Sequence, residues 1–249
     1  MNIFRNVVFV AALAGLVASL VMTAMQTVYT VPLILQAETF EGAAPAHDHA
    51  APASAADPAA AAPVAAHEHG EDSRAPQDGA ERTAFTALIN VVTGIGFALL
   101  LVVASELAGG IAGWRQGLFW GFAGFAVFTL APGLGLPPEL PGMPAGDLMA
   151  RQTWWIATVA ATAGGLALIA FSGQASLAVV GVALIVAPHV VGAPQPVSHD
   201  TAVPADLHHR FVVAVTITNL VFWMLLGAAV GVIRTRFAAG LAAPQGSLA

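Results

Sequence analysis

Residues 211–233 read FVVAVTITNLVFWMLLGAAVGVI, 23 residues without one charged side chain, closed by Arg234 and Arg236. Crossing a hydrocarbon layer takes about 20 mostly apolar residues at a helical rise of about 1.5 Å each. Lipid offers no hydrogen bonds, so such a segment must satisfy its own backbone, and a helix does so. This stretch therefore predicts a membrane-spanning helix, and the rest of the chain repeats the pattern. Apolar runs at about 7–35, 85–107, 117–131, 154–171 and about 177–193 add five further candidates, for about six spans, with five as the alternative count. The run at 117–131 is short, but its Phe119, Trp120, Phe122, Phe125 and Phe128 favour the membrane. The expected fold class is all-α, a polytopic transmembrane bundle. Composition agrees: of the 249 residues 57% are hydrophobic and 9% charged, against about 25% charged in ordinary globular domains.

The polar remainder sets the organisation. Arg5 ahead of an apolar run resembles a secretory signal, but the run exceeds the usual core of about 7 to 15 residues and no A-x-A site follows closely. Residues 1–35 are thus expected to form an N-terminal span. Residues 36–84, rich in Ala, Pro, Asp, Glu and His, lack apolar periodicity and read as a flexible extracytoplasmic loop. Residues 85–236 make the bundle and 237–249 a short cytoplasmic tail. Cytoplasmic loops carry the excess of Arg and Lys, yet Arg5, Arg115, Arg234 and Arg236 on one side balance Arg74, Arg82, Arg151 and Arg210 on the other. Because Arg74 and Arg82 lie among acids, both termini are placed in the cytoplasm, in a bacterial inner membrane. Thirteen of the 14 acids then face outward, and Glu106 is the exception.

Composition also excludes functions. With eight Arg, no Lys and a net charge of −6, the chain lacks the basic surface that nucleic acid requires. Without Cys it has no thiolate site. No phosphate-binding G-x-x-x-x-G-K-[ST], H-E-x-x-H or G-x-S-x-G occurs, so enzymatic activity is not expected and no cofactor is implied.

What remains is ion chemistry. His47-Asp48-His49 and His67-Glu68-His69 are two H-acid-H triplets in the long loop. Imidazole with carboxylate suits a divalent transition metal, although a flexible loop that closes on an ion gives up ordering entropy. The same residues would also serve simply to keep the loop soluble. In the first span Ser19, Thr23, Gln26, Thr27 and Thr30 fall at i, i+4, i+7, i+8 and i+11, one helical stripe. Thr86, Asn90, Thr93 and Phe97, and again Thr216, Asn219 and Trp223, continue the pattern on two other spans. Polar groups in lipid face the protein interior or a wet cavity, so Gln26, Asn90 and Asn219 are candidates to line a pathway or to bond neighbouring helices. His189 follows Pro188, which is expected to break the helix ladder, as at many ion sites. His199, Asp200, Asp206, His208 and His209 form a second outer cluster. Gly113, Gly117 and Gly121 predict close helix packing.

Three segments carry a resemblance. APGLGLPPELPGMPAGDLMARQTWW from 131, PHVVGAPQP from 188 and VPADL from 203, with VPLILQAETFE and TALINVVTGIGFALLL before them, resemble the CbtA family of predicted cobalt transporter subunits. The resemblance implies cobalt uptake tied to cobalamin supply, beside a small single-span, His-rich partner, CbtB. The family is usually described with five spans. By position it points to Glu38, Glu41, Glu139 and His189 as metal-proximal, joining His47, His49, His67 and His69, and to Gln195 beside the pathway. Arg151 is expected to pair with Asp147, four residues earlier. The cargo is expected to be Co2+, with Ni2+ or Zn2+ close in ligand preference. The alternative is a non-transporting scaffold or metal sensor that serves a conducting partner.

Overall fold

The computed structural model describes residues 2–41 and 79–242, with side chains for 4–41 and 79–237; His47, His49, His67 and His69 lie outside them. Every regular element among the described residues is helical: α1 Asn2–Tyr29, α2 Val31–Glu41, α3 Ala80–Leu107, α4 Trp114–Phe125, a π turn Ala126–Leu130, α5 Ala131–Gly135, α6 Leu148–Phe171, α7 Ala175–Val191 and α8 Ala205–Ala242. Five helices are long and apolar enough to cross a membrane: Phe4–Tyr29, Ala80–Leu107, Trp114–Gly135, Leu148–Phe171 and Ala205–Phe237. Rings of exposed Val, Leu, Ile and Phe on these helices are the surface a lipid tail would cover.

Helix α7 has 17 residues, about 25 Å of rise, and so falls short of a full crossing. Even so it returns the chain through the bundle. Arg151 at the start of α6 pairs with Glu139 at 3.0 Å, and His208 Nε2 near the start of α8 lies 3.1 Å from the Pro138 carbonyl. The starts of α6 and α8 therefore share one end, and α7 must bring the chain back to it. That end, the mouth, also holds the end of α2 and the start of α3, where Arg82 pairs with Glu38 at 2.7 Å. At the opposite end Arg234 pairs with Glu106.

Several boundaries depart from the sequence expectation. The loop expected from Gln36 begins later, because α1 breaks only at Thr30 and resumes through Glu41 with Ala37 fully buried. Pro32 sits at the second position of α2, where a helix needs no amide donor. Likewise α3 begins at Ala80 and α8 at Ala205, ahead of their apolar cores, since polar residues continue a helix beyond the lipid. The third span gains its length from Pro132: the Ala131 amide reaches back five residues to the Ala126 carbonyl, and this π turn precedes the proline in one continuous rod.

Packing follows the glycines. A Cβ on Gly117 would overlap the Gly227 carbonyl oxygen, and one on Gly121 that of Trp223, so α4 and α8 touch backbone to backbone. Gly94 admits Ser19 of α1 in the same way, and Gly165 faces Gly181 where α6 meets α7. The main core joins Ala11, Ala14, Ala18, Ala98, Phe125, Phe222, Trp223 and Leu226, whereas a smaller one at the mouth joins Leu33, Ala37, Leu140, Val203, Leu207 and Phe211.

Candidate functional site

Two polar stations lie along the bundle. The first is at the mouth, where the segment between α5 and α6 folds against the segment between α7 and α8. Gly142, at φ 79°, makes the turn, its carbonyl accepts from Thr201 Oγ1 at 3.1 Å, and Glu41 lies alongside it. Beneath this junction is a cavity of about 140 Å3 lined by Glu139, Met143, Gln195, His199, His208 and prolines. It opens partly to solvent and is wide enough to hold water. A carbonyl only accepts, so His208 Nε2 must donate to Pro138, which leaves the Nδ1 lone pair available to a cation. An imidazole fixed through its second nitrogen in this way is the usual setting of a metal-ligating histidine. Among the described residues no three His, Asp or Glu side chains stand close enough to share one ion.

The sequence candidates distribute unevenly. Glu139 and Gln195 line this cavity, and Gln195 Nε2 donates to Ala193 O at 3.2 Å. Glu38 is committed to Arg82. The expected Arg151–Asp147 pair is corrected: Arg151 reaches Glu139, because Asp147 caps α6 by accepting from the Ala150 amide at 2.8 Å. The Arg82 pairing escapes sequence reasoning because its partner is 44 residues away. His209 is exposed, and Asp200 binds Ser198 at 2.8 Å.

The second station is intramembrane. Asn90 Nδ2 donates to Gln26 Oε1 at 2.7 Å and to Thr23 Oγ1 at 3.0 Å, while Ser19 Oγ donates to the Asn90 carbonyl at 2.7 Å. Gln26 and Asn90 are thus brought together. Asn219 instead returns to its own helix, donating to Val215 O at 2.9 Å. Helix α7 runs through Pro188 to Val191, so the expected break at His189 does not occur. The Pro188 carbonyl accepts from Trp154 Nε1 at 3.1 Å and from the Gly192 amide at 3.0 Å, and the His189 ring stands edge-on to Trp154. His189 thus belongs to the α6–α7 hairpin, apart from the Gln26–Asn90 pair. Below that pair Phe97 packs on Trp223 at 4.9 Å and Phe128 stacks on Trp223 at 5.5 Å, filling the centre.

Comparison with known proteins places this geometry in a lineage. No curated protein and no solved structure matches the chain. A family described as "Probable cobalt transporter subunit (CbtA)" matches residues 4–235, from the start of the first span to the end of the last. An all-helical, multi-span membrane chain matched over that extent belongs to the CbtA family.

Proposed function

We propose that this chain is the membrane subunit of an uptake system for cobalt, gathering the hydrated ion at the mouth and passing it into the bundle. The supporting observation is the mouth cavity, whose lining includes Glu139, His199 and His208 from separate segments. The triplets His47–His49 and His67–His69 belong to the segment whose two ends, Glu41 and Ala80, join the bundle at this same end. The arginines tie at four on each side, and the opposite end is taken as the cytoplasmic face of an inner membrane because Arg5 opens the first span and Arg234 and Arg236 close the last, whereas Arg74 and Arg82 lie among acids. A divalent ion moving inward across about 100 mV gains about 4.6 kcal/mol, enough to drive accumulation without a nucleotide. Imidazole and carboxylate serve Co2+, Ni2+ and Zn2+ alike, and a small His-rich single-span partner such as CbtB would complete the system.

Uptake of radioactive cobalt by cells that carry the chain tests this reading. The pair E139Q and H208A, and separately a deletion of residues 47–69, should each reduce the initial rate; unchanged uptake in both would reject the mouth as the capture site. A second reading draws on the aromatic filling around Trp223, which leaves the centre packed: the chain holds the ion at the mouth while a partner conducts it. Purified chain reconstituted alone in vesicles decides between them, since a scaffold binds cobalt without flux.

A further inference from the structure

The mouth cavity has two walls, and one buried side chain stands behind both. The first wall runs from Gly135, where α5 ends, to Glu139, and the second runs from Pro194 to His199, beyond α7. Trp154, in the second turn of α6, is 8% exposed and is not itself part of the lining. A Cβ on Gly135 would overlap the six-membered ring of its indole and come within 3.0 Å of the Ala193 methyl. The indole is therefore seated on the backbone that begins the first wall, at the point where Ala193 leads into the second.

Its opposite edge is fixed as well. A buried indole N–H needs an acceptor, and Nε1 donates to the Pro188 carbonyl in the last turn of α7 at 3.1 Å, with the His189 ring edge-on beside it. One side chain thus joins the end of α5 to the end of α7. Three residues earlier on the same face of α6, Arg151 holds Glu139. The first turns of α6 therefore grip the first wall at both ends, by its backbone at Gly135 and by its carboxylate at Glu139. Glu139 stands on one wall and His199 on the other, so an ion held between them depends on the spacing of the walls. Freedom between the walls is lost when the ion binds, and a support that removes it beforehand raises affinity without touching the ion.

We propose that Trp154 is the positioning residue of the mouth, setting the separation of its two walls and through it the affinity for the divalent ion. The inference rests on the mouth as the capture site, and the test separates the two. Cobalt is titrated into the purified full chain, native and carrying W154F, G135A or E139Q, and into W154F/E139Q and G135A/E139Q; the unfolding temperature of each is measured without cobalt. W154F keeps an aromatic ring but loses the N–H and the outer part of the indole, and should weaken cobalt binding about tenfold. G135A presses on the same contact from the other side and should weaken binding too, so it carries the test should W154F fail to fold. With E139Q present, where the first wall has no carboxylate left to place, either substitution should change cobalt binding by less than about twofold. A tryptophan that served the fold alone would lower the unfolding temperature and weaken binding equally with and without Glu139. Native-strength binding by E139Q would overturn the mouth as capture site and this inference with it. With E139Q weakened, native-strength binding by W154F or G135A, or an equal loss in both backgrounds, would overturn the role of Trp154 alone.

Discussion

Arg151→Gln should tighten cobalt binding at the mouth, because in the resting protein the arginine already occupies the place of a cation on Glu139. The pair is 3.0 Å long, with side chains 25% and 27% exposed, so its loss should cost little stability, about 0.2 to 1 kcal/mol for a half-exposed ion pair. The effect on the ion is larger because the cargo is doubly charged. A guanidinium about 7 Å from a divalent ion repels it by about 1 kcal/mol under full water screening and about 5 kcal/mol at an effective dielectric near 20. Solvent reaches both partners, so the lower figure governs and affinity should rise about tenfold. Titration of cobalt into purified native, R151Q, R151K, E139Q and R151Q/E139Q chains measures it. R151K should keep affinity near native, E139Q should weaken it, and the double variant should lose the gain because no carboxylate remains to be freed. Affinity that is unchanged or lower in R151Q, with an unfolding temperature near native, would refute the competition between arginine and ion.

Two further outcomes test the scaffold that holds these stations. Gly117→Ala places a methyl against the Gly227 carbonyl, where only separation of α4 from α8 relieves the overlap; a loss of about 1 to 3 kcal/mol is expected, read as a lowered unfolding temperature in detergent, whereas Gly133→Ala, with open space around it, should change little. Asn90→Leu removes the two interhelical bonds to Thr23 and Gln26 and should cost about 1 kcal/mol at roughly 0.6 per contact, a small thermal shift; a collapse of the fold would show that Asn90 carries packing rather than these bonds.

Spans were legible in the sequence because lipid imposes one rule, length of apolar chain, and residues 211–233 satisfy it without help from neighbours. Helix ends were less legible, since α2 and the first turns of α3 and α8 extend into polar sequence. Helical periodicity gathered Ser19, Thr23 and Gln26 on one face, and Asn90 duly meets that face. The same periodicity singled out Asn219 and Thr216, yet each bonds back to its own helix, and the buried orphan is Thr218 between them. Period alone gives a stripe; which residue of the stripe faces a neighbour depends on the rotation of α8, set by Gly227 against Gly117 far down the helix. His189 was selected by chemistry, and Trp154 holds it on the hairpin for a reason visible only in three dimensions: the indole needs the Pro188 carbonyl.

On the proposed uptake reading, the pairing of charges at the mouth would let the bundle both take and release an ion. At the mouth Glu38 and Glu139 each hold an arginine, Arg82 and Arg151, drawn from a different helix. A bare carboxylate would bind a divalent ion and keep it, whereas one already compensated must exchange one cation for another. Exchange lowers the depth of the well without removing the ligand, and passage requires a site strong enough to admit the ion and weak enough to lose it. An arginine displaced by the ion would have water beside it, because both pairs stay partly exposed, so its charge would be solvated rather than stranded in lipid.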